Sequence, residues 1–269
     1  MKSRLKSLLG RIVFAAGLHR RLLRGRAVVV LFHRVDDRFP GDDITCSERE
    51  FRDYCAFFAR HFTVVPLGEI VRRAAAGTSV DGLLAITFDD GYRDNILTAA
   101  PILESHRLPA LFYIATDFIG SEHVPWWDAE LPARPEWMTW DQVRELRARG
   151  FELGAHTMSH PDLGVVRGEQ ARREITGCGE RLLAETGERV AHFSYPYGRA
   201  DQMLEENRAL VREAGYASCV SAHGGTVAPG CDPYRLPRIG ISPYFVSPWH
   251  FGFEALRSAP SGRYHAPVA

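Results

Sequence analysis

The chain alternates between short runs of apolar residues and longer segments in which apolar residues recur every three or four positions. Short continuous apolar runs are typical of strands that are buried on both faces of a parallel sheet. Six such runs are found, and a weaker seventh candidate follows at 235–239. The six runs cover 27–32, 83–88, 110–115, 151–155, 190–195 and 217–221.

The segments between these runs have helical spacing of their apolar residues. They cover 47–60, 94–106, 139–149, 168–186 and 200–214. Ser47, with Glu50 three residues later, predicts a capping box at the start of the first helix. Apolar strands that alternate with helices indicate a parallel sheet covered by helices on its outer faces. The pattern therefore predicts an α/β fold, a (β/α) barrel of about seven parallel strands in one domain.

Composition narrows the class of protein further. The 269 residues are 45% apolar and 25% charged, which excludes a disordered or fibrous chain. No apolar run approaches the roughly 18 residues of a membrane-spanning helix. The five cysteines are scattered without a CxxC pair, so neither a disulfide framework nor a zinc knuckle is indicated, and a reducing compartment fits best.

Charge is unevenly distributed between an N-terminal arm and the rest of the chain. Residues 1–26 carry eight basic side chains and no acidic one, whereas the remaining residues carry 25 basic and 33 acidic side chains. The acidic body, 27–269, is predicted to be one domain, and it offers no surface for nucleic acid. We expect a cytoplasmic protein, because the arm lacks the longer apolar run and the cleavage site of a secretory signal.

The arm itself has apolar residues at helical spacing with basic residues around them. Three interpretations stay open for it. It is a helix packed on the domain, an interfacial helix held to the anionic inner face of a membrane, or an atypical signal segment. The pattern does not indicate an oligomeric state.

Polar motifs follow three of the predicted strands directly. Asp89 and Asp90 follow the strand at 83–88, and His156 and His160 follow the strand at 151–155. Pro196-Tyr197-Gly198 follows the strand at 190–195. Each string alone is common in ordinary turns and helix caps. In a parallel barrel, however, the ends of successive strands meet at one rim, where active sites lie.

These residue types suit a catalytic metal site. Adjacent carboxylates repel each other, and a cation between them relieves that repulsion. Two histidines and one carboxylate form a three-ligand site that leaves room for water and substrate, as in catalytic zinc centres. The second carboxylate is then free to act as a base. The donor set favours Zn²⁺, and Co²⁺, Ni²⁺ or Fe²⁺ also fit it.

The three motifs resemble those of a known family. Residues 87–91 (TFDDG), 156–161 (HTMSHP) and 193–198 (FSYPYG) are similar to the central motifs of the polysaccharide deacetylases, the NodB-homology or carbohydrate esterase family 4 proteins. The resemblance implies a distorted (β/α) barrel that removes N-acetyl groups from an amino-sugar polymer or glycolipid. It also implies a role for each matching residue. Asp89 is the general base, Asp90, His156 and His160 hold the metal, and the backbone N–H of Tyr197 stabilises the oxyanion.

The chain departs from the family pattern at two positions. Many members carry an arginine that orients the catalytic aspartate where this chain has Ser194. Arg238 is the candidate substitute, and an ordinary surface arginine is the alternative. The late histidine that acts as general acid is also missing. Residues 31–35 (LFHRV) resemble the start of the exopolysaccharide deacetylase branch, which implies that His33 is the acid, with His223 or a purely structural His33 as alternatives.

The segment at 117–138 is long, irregular and rich in tryptophan. Trp126 and Trp127 are candidates for contact with sugar rings, although tryptophan also fills cores. The leading hypothesis is a metal-dependent hydrolase of N-acetylated carbohydrate. The alternatives are a deacylase of another substrate, such as a formyl-sugar, peptidoglycan or an O-acetyl ester, and a carbohydrate-binding barrel that has lost catalysis.

Overall fold

The computed structural model describes residues 2–260, so the last nine residues of the predicted 27–269 domain lie outside the described residues. Ten strands occur in this part of the chain. They are β1 (Val28–Phe32), β2 (Arg34–Val35), β3 (Thr45–Cys46), β4 (Thr63–Val64), β5 (Leu83–Phe88), β6 (Leu111–Ile114), β7 (Glu152–Ala155), β8 (His192–Ser194), β9 (Ser218–Val220) and β10 (Ile239–Gly240).

Seven strands form one parallel sheet in the order β10-β1-β5-β6-β7-β8-β9, and β4 adds to β5. A parallel bridge from Val220 to Leu236 joins β9 to the segment that leads into β10. That segment therefore contacts both edges of the curved sheet. The result is a distorted (β/α) barrel in a single domain, which confirms the predicted fold class.

Helices cover the outside of this sheet. The nine α-helices of the described residues are α1 (Lys2–Ala15), α2 (His19–Leu22), α3 (Glu48–His61), α4 (Leu67–Ala75), α5 (Ala100–Ser105), α6 (Trp140–Ala148), α7 (Gly168–Thr186), α8 (Glu205–Glu213) and α9 (Pro248–Arg257). The predicted capping box is present at α3, where Ser47 accepts from the Glu50 N–H and the Glu50 side chain accepts from the Ser47 N–H.

The predicted strands at the centre of the sheet are confirmed within two residues at each end, and β5 and α7 match their predictions fully. The predicted strand at 235–239 is largely wrong. Pro233–Arg235 is a 3₁₀ turn capped by the Asp232 side chain, and Pro237 has no N–H to give to a sheet. Only Ile239 of the predicted stretch belongs to a strand.

Two predicted helices are shorter than expected. The helix at 94–106 begins with a π-helical turn, Asn95–Ala99, because Pro101 cannot donate to the α-helical ladder. The helix at 200–214 is divided into a 3₁₀ turn, Ala200–Gln202, and α8. Helices α4 and α9 were not predicted.

The N-terminal arm is helical and packs against the domain along α9. Gly10 lies directly against the backbone carbonyl of Trp249, where any Cβ would clash. Phe14 is buried among aromatic side chains of the domain. The interpretation of the arm as a packed helix is therefore confirmed in part, since one edge of α1 is buried. Within residues 2–260, no helix combines the length and hydropathy needed to cross a bilayer.

Candidate active site

The carboxyl ends of the parallel strands surround an open cleft of about 620 Å³. Most of the predicted site residues line it, and Arg238 lies buried beneath Asp89. The lining includes His33, Asp89, Asp90, Trp126, Trp127, His156, His160 and Tyr197. Residues more than 160 positions apart in the chain thus meet at one rim, as the strand-end argument predicts.

Asp90, His156 and His160 form a compact cluster of possible metal ligands. One ligand atom from each lies within 4.8 Å of the other two, and all three residues are buried. Asp90 Oδ1 lies 3.2 Å from Nε2 of His156 and 3.4 Å from Nε2 of His160. The three ligand atoms are therefore close enough to one another to contact a single cation.

Hydrogen bonding around this cluster fits a divalent cation. Asp90 Oδ1 is buried, and the nitrogens that face it, Nε2 of His156 and Nε2 of His160, are themselves possible metal ligands. Nδ1 of His156 donates to the Ser194 carbonyl at 2.8 Å, which directs Nε2 into the cluster. Burial lowers the pKa of His160 to about 4, so its imidazole is neutral and able to ligate at neutral pH.

His156 responds differently to the same surroundings. Burial alone would lower the pKa of His156, but the charges of Asp89 and Asp90 outweigh burial and raise it. A cation that binds Nε2 therefore competes with a proton for this nitrogen. Metal affinity should consequently weaken as the pH falls, because the proton then competes more strongly for Nε2.

Asp89 is held by Arg238 in a bidentate ion pair. Arg238 donates from Nη1 to Oδ1 at 2.7 Å and from Nη2 to Oδ2 at 2.6 Å, and both side chains are buried. Ser194 donates its hydroxyl to Asp89 Oδ2 at 3.0 Å and accepts from Arg238 Nη2 at 2.8 Å. The alternative of a surface arginine is wrong, because Arg238 has no exposed surface.

This arrangement keeps the Asp89 carboxylate charged. Burial alone would raise the pKa of Asp89, but the Arg238 guanidinium and the neighbouring His156 outweigh burial and lower it. Asp89 Oδ2 lies 3.8 Å from His156 Nε2, next to the ligand cluster but outside it. An ionised carboxylate at this position can accept a proton from a water molecule beside the cluster.

The loops that carry these side chains have unusual backbone geometry. Asp90, Thr157, His160 and Tyr197 all have left-handed φ angles, between 57° and 78°, although none is glycine. Such conformations cost energy and cluster at functional sites. In the loop after β7, the carboxylate of Glu174 on α7 accepts from the backbone N–H groups of Met158 and Ser159, at 2.9 Å each.

Tyr197 borders the ligand cluster with both its ring and its backbone. Its ring lies edge-on to His160, with 4.9 Å between centroids, and its hydroxyl accepts from Trp126 Nε1 at 3.2 Å. No acceptor among residues 2–260 binds the backbone N–H of Tyr197. The fold of the described residues therefore does not use this donor.

His33 and His223 both line the cleft, so position alone does not choose between the two candidate acids. His33 follows β1 directly, and its carbonyl accepts from Asn95 Nδ2 at 2.8 Å. Its Nδ1 is buried without a partner among the described residues, and burial lowers the pKa of its imidazole. The Nδ1 of His223 is equally unpartnered, and burial lowers its pKa as well.

The two tryptophans line the cleft in different ways. The Trp126 side chain is 73% exposed, whereas Trp127 is partly buried and its ring lies 4.8 Å from that of His160. Trp127 Nε1 donates to the Tyr92 hydroxyl at 2.9 Å, and Tyr92 donates to Asp128 Oδ2 at 2.8 Å. Trp127 is therefore fixed beside the ligand cluster.

A buried arginine anchors this segment from below. Arg34 has no exposed surface and forms ion pairs with Asp128 and with Asp42, the latter at 2.7 Å between Nη2 and Oδ2. Its guanidinium also lies over the Tyr92 ring, 4.8 Å from the centroid. Sequence reasoning missed this network, because nothing local links Arg34 to a carboxylate 94 positions later. Sequence reasoning also missed the hydrogen bonds that Glu174 accepts from the loop after β7, for the same reason.

Trp127→Ala should raise KM for a saccharide substrate severalfold and leave metal content unchanged. The substitution removes an aromatic face from the cleft wall but no metal ligand. Trp127→Phe is the matched control, since it keeps a six-membered aromatic ring while it loses the pyrrole ring and the N–H that binds Tyr92. Equal KM values for wild type and Trp127→Ala would contradict a role in substrate contact.

Comparison with known proteins agrees with this geometry. The family model described as polysaccharide deacetylase matches residues 76–219, more than half of the chain. The chain belongs to the polysaccharide deacetylase family. The match includes Asp89, Asp90, His156, His160 and Tyr197, but neither His33 nor Arg238. The resemblance to this family is therefore confirmed, and the protein is a hydrolase of the family that cleaves the amide bonds of N-acetyl groups.

Two curated relatives show how far the similarity extends. YxkH of Bacillus subtilis (strain 168), a proposed polysaccharide deacetylase, is 27% identical over 217 residues, which cover 80% of this chain and 71% of that protein. The chitooligosaccharide deacetylase of Sinorhizobium fredii (strain NBRC 101917 / NGR234) is 30% identical over 118 residues, or 42% of this chain. The chain matches about half, 46%, of the length of that deacetylase.

Solved structures share the fold. The Streptococcus pyogenes deacetylase PplD, in complex with acetate, superposes with a TM-score of 0.72 at 19% identity, covering 84% of this chain and 96% of its own. IcaB from Ammonifex degensii superposes with a TM-score of 0.68 at 23% identity, covering 84% of this chain and 97% of its own. At such identities the likeness establishes the architecture of the barrel.

Proposed function

We propose that this deacetylase is a metal-dependent hydrolase that removes N-acetyl groups from an amino-sugar polysaccharide or glycolipid. The observation that carries the proposal is the cluster of Asp90, His156 and His160, next to an Asp89 carboxylate that Arg238 keeps ionised. The open cleft above the cluster is large enough for sugar residues. The relatives named for chitin, chitooligosaccharide and poly-β-1,6-N-acetyl-D-glucosamine support N-acetylglucosamine as the sugar.

Asp90, His156 and His160 would hold the cation, with Zn²⁺ as the best match to two imidazoles and one carboxylate. When bound, the cation supplies positive charge that acidifies water and polarises a carbonyl. Asp89 accepts the proton of the attacking water, and Arg238 and Ser194 hold Asp89 in place for this transfer. The backbone N–H of Tyr197 donates to the developing oxyanion, a contribution of about 3 kcal/mol for such donors.

The amide nitrogen needs a proton before it can leave, and we assign its delivery to His33. His33 and His223 both border the cleft with an unpartnered Nδ1, so the choice rests on the position of His33 in the fold. His33 follows β1, whose neighbour β5 carries Asp89. An acid and a base on neighbouring strand ends can serve the two sides of one scissile bond.

The metal content of the purified full chain and its release of acetate from N-acetylglucosamine oligomers test this proposal. We expect about one tightly bound divalent ion per chain and acetate release that a chelator abolishes and added Zn²⁺ restores. Metal binding without acetate release would support a deacylase of a different substrate, to be tested with formylated sugars, peptidoglycan and O-acetyl esters. If the protein binds no metal even when supplied with it, the lost-catalysis alternative is favoured.

His33→Ala should lower kcat and remove the basic limb of the pH–rate profile, because that limb reports the loss of the proton that the general acid donates. Burial lowers the pKa of His33, so the wild-type limb should lie below the ordinary range of a histidine. The expected loss in kcat is about 10²-fold or more. His223→Ala is the matched control, and it should leave the profile unchanged. An unchanged rate and basic limb in His33→Ala would exclude His33, and the same changes in His223→Ala would assign the role to His223.

We propose a reducing compartment, the cytoplasm, for the described part of the protein. Cys46, Cys55, Cys178 and Cys219 are buried thiols, and no two of these four form a disulfide. Free buried thiols are usual in reducing surroundings and uncommon in secreted domains.

A further inference from the structure

The first helix of the arm leaves its apolar face uncovered. Leu5, Leu8, Leu9 and Ile12 are between 39% and 57% exposed, although they are the apolar stripe of α1. The buried edge of α1 is instead formed by Gly10 and Phe14, which contact α9 and the aromatic side chains around it. A helix on a globular domain normally turns its apolar stripe inward.

The uncovered stripe continues onto α2. Leu18 and Leu22 are each 48% exposed, one turn of helix apart, whereas His19 and Leu23 are buried. Large side chains in such numbers on one short segment are unusual for a free protein surface, where exposed apolar residues are mostly scattered. We call the six exposed residues the apolar face: Leu5, Leu8, Leu9, Ile12, Leu18 and Leu22.

Positive charge surrounds the apolar face. Its exposed basic neighbours are Lys2, Arg4, Arg11, Arg20, Arg21 and Arg24, and no acidic residue lies in 1–26. Among the basic side chains of the arm, only Lys6 has a carboxylate partner within the described residues, Glu254 at 2.5 Å. A second copy of the chain would bring like charges together at the same face, which disfavours self-association. A bilayer surface with anionic headgroups matches both the charges and the apolar side chains.

We propose that α1 and α2 dock the protein on an anionic lipid bilayer, with the apolar face inserted among the acyl chains and the basic residues at the headgroups. The proposal does not depend on the hydrolase activity. It concerns the whole domain, because α1 packs along α9 and is hydrogen-bonded to the segment before it. Ser7 and Ser247 share a hydrogen bond of 2.6 Å, and Lys6 donates to the Tyr244 hydroxyl at 3.1 Å. The segment that α1 contacts at Tyr244 also reaches the cleft, because Ser242, two residues earlier, lines it.

Co-sedimentation of the full chain with lipid vesicles tests this docking. We expect binding to vesicles that contain phosphatidylglycerol, weaker binding as salt rises, and little binding to pure phosphatidylcholine. Leu8→Gln combined with Ile12→Gln should weaken binding at least about tenfold, because two of the inserted side chains are lost. Arg4→Gln combined with Arg11→Gln and Arg20→Gln should weaken it by a similar factor.

The matched control is Leu97→Gln combined with Val165→Gln, which changes two exposed apolar residues outside the arm. It should bind vesicles as wild type does. Absence of binding to phosphatidylglycerol vesicles would overturn the proposal, and so would equal binding by the Leu8/Ile12 and control variants. Concentration-dependent dimerisation that only the Leu8/Ile12 variant abolishes would also overturn it, by assigning the apolar face to a second copy of the chain.

Discussion

Asp89→Asn should lower kcat for acetate release by about 10²–10⁴-fold, the usual contribution of a general base. The amide keeps the size of the carboxylate but cannot accept the proton of the attacking water. Metal content should stay unchanged, because Asp89 lies outside the ligand cluster. The measurement is steady-state kinetics on an N-acetylglucosamine oligomer, with metal analysis of the same preparation.

The same substitution should also destabilise the fold. Arg238 is fully buried, and the neutral amide of the Asp89→Asn variant would leave its guanidinium without an opposing charge. Breaking a buried ion pair in this way costs about 3–5 kcal/mol in the free energy of unfolding. Urea denaturation measures this loss and identifies conditions in which the variant is folded for kinetics. Asp201→Asn, at an exposed carboxylate after β8, is the control and should change neither quantity. Wild-type kcat in folded Asp89→Asn would exclude Asp89 as the base.

His156→Ala should abolish both metal binding and acetate release. It removes one of the three proposed protein ligands and leaves only Asp90 and His160 to hold the cation. The loss of one ligand of three lowers metal affinity by orders of magnitude, and the retained Asp89 then has no activated water to act on. Metal analysis after dialysis and a chelator titration measure the effect.

His123→Ala is the matched control, since His123 is an exposed histidine on the loop beside the cleft. It should retain the metal and the wild-type rate. A His156→Ala protein that keeps one tightly bound ion would show that Asp90, His156 and His160 are not the metal site. A variant that loses the metal but keeps its rate would instead show that the reaction does not require the cation.

The order of the elements and the position of the site were predictable because both follow from short-range rules. Apolar runs identified the central strands within two residues, since strands buried on both faces have little freedom in composition. The sequence also places the main site residues at one rim, because the ends of parallel strands meet there. These residues, which line the cleft, are Asp89, Asp90, His156, His160 and Tyr197.

Contacts between distant parts of the chain were not predictable in the same way. The ion pair of Arg34 with Asp128 has no signature in the local sequence. The same holds for the hydrogen bonds that Glu174 accepts from the loop after β7. The orientation of α1 is a similar case. Spacing identified its apolar stripe, but the side that packs is decided by the close approach of Gly10 to Trp249, which depends on α9.

The pairing of Asp89 with Arg238 has a consequence for the synthesis of the protein. The two residues are 149 positions apart, and Arg238 follows the last but one strand of the sheet. Because the chain is synthesised from its N-terminus, Asp89 emerges from the ribosome long before Arg238. Helix α1 of the N-terminal arm is likewise synthesised long before α9, the helix on which it packs. A nascent chain that lacks residue 238 would therefore hold the proposed ligands and the proposed base without the charge that keeps the base in place. We expect enzymatic activity to arise only after Arg238 has been added and the segment around it has folded.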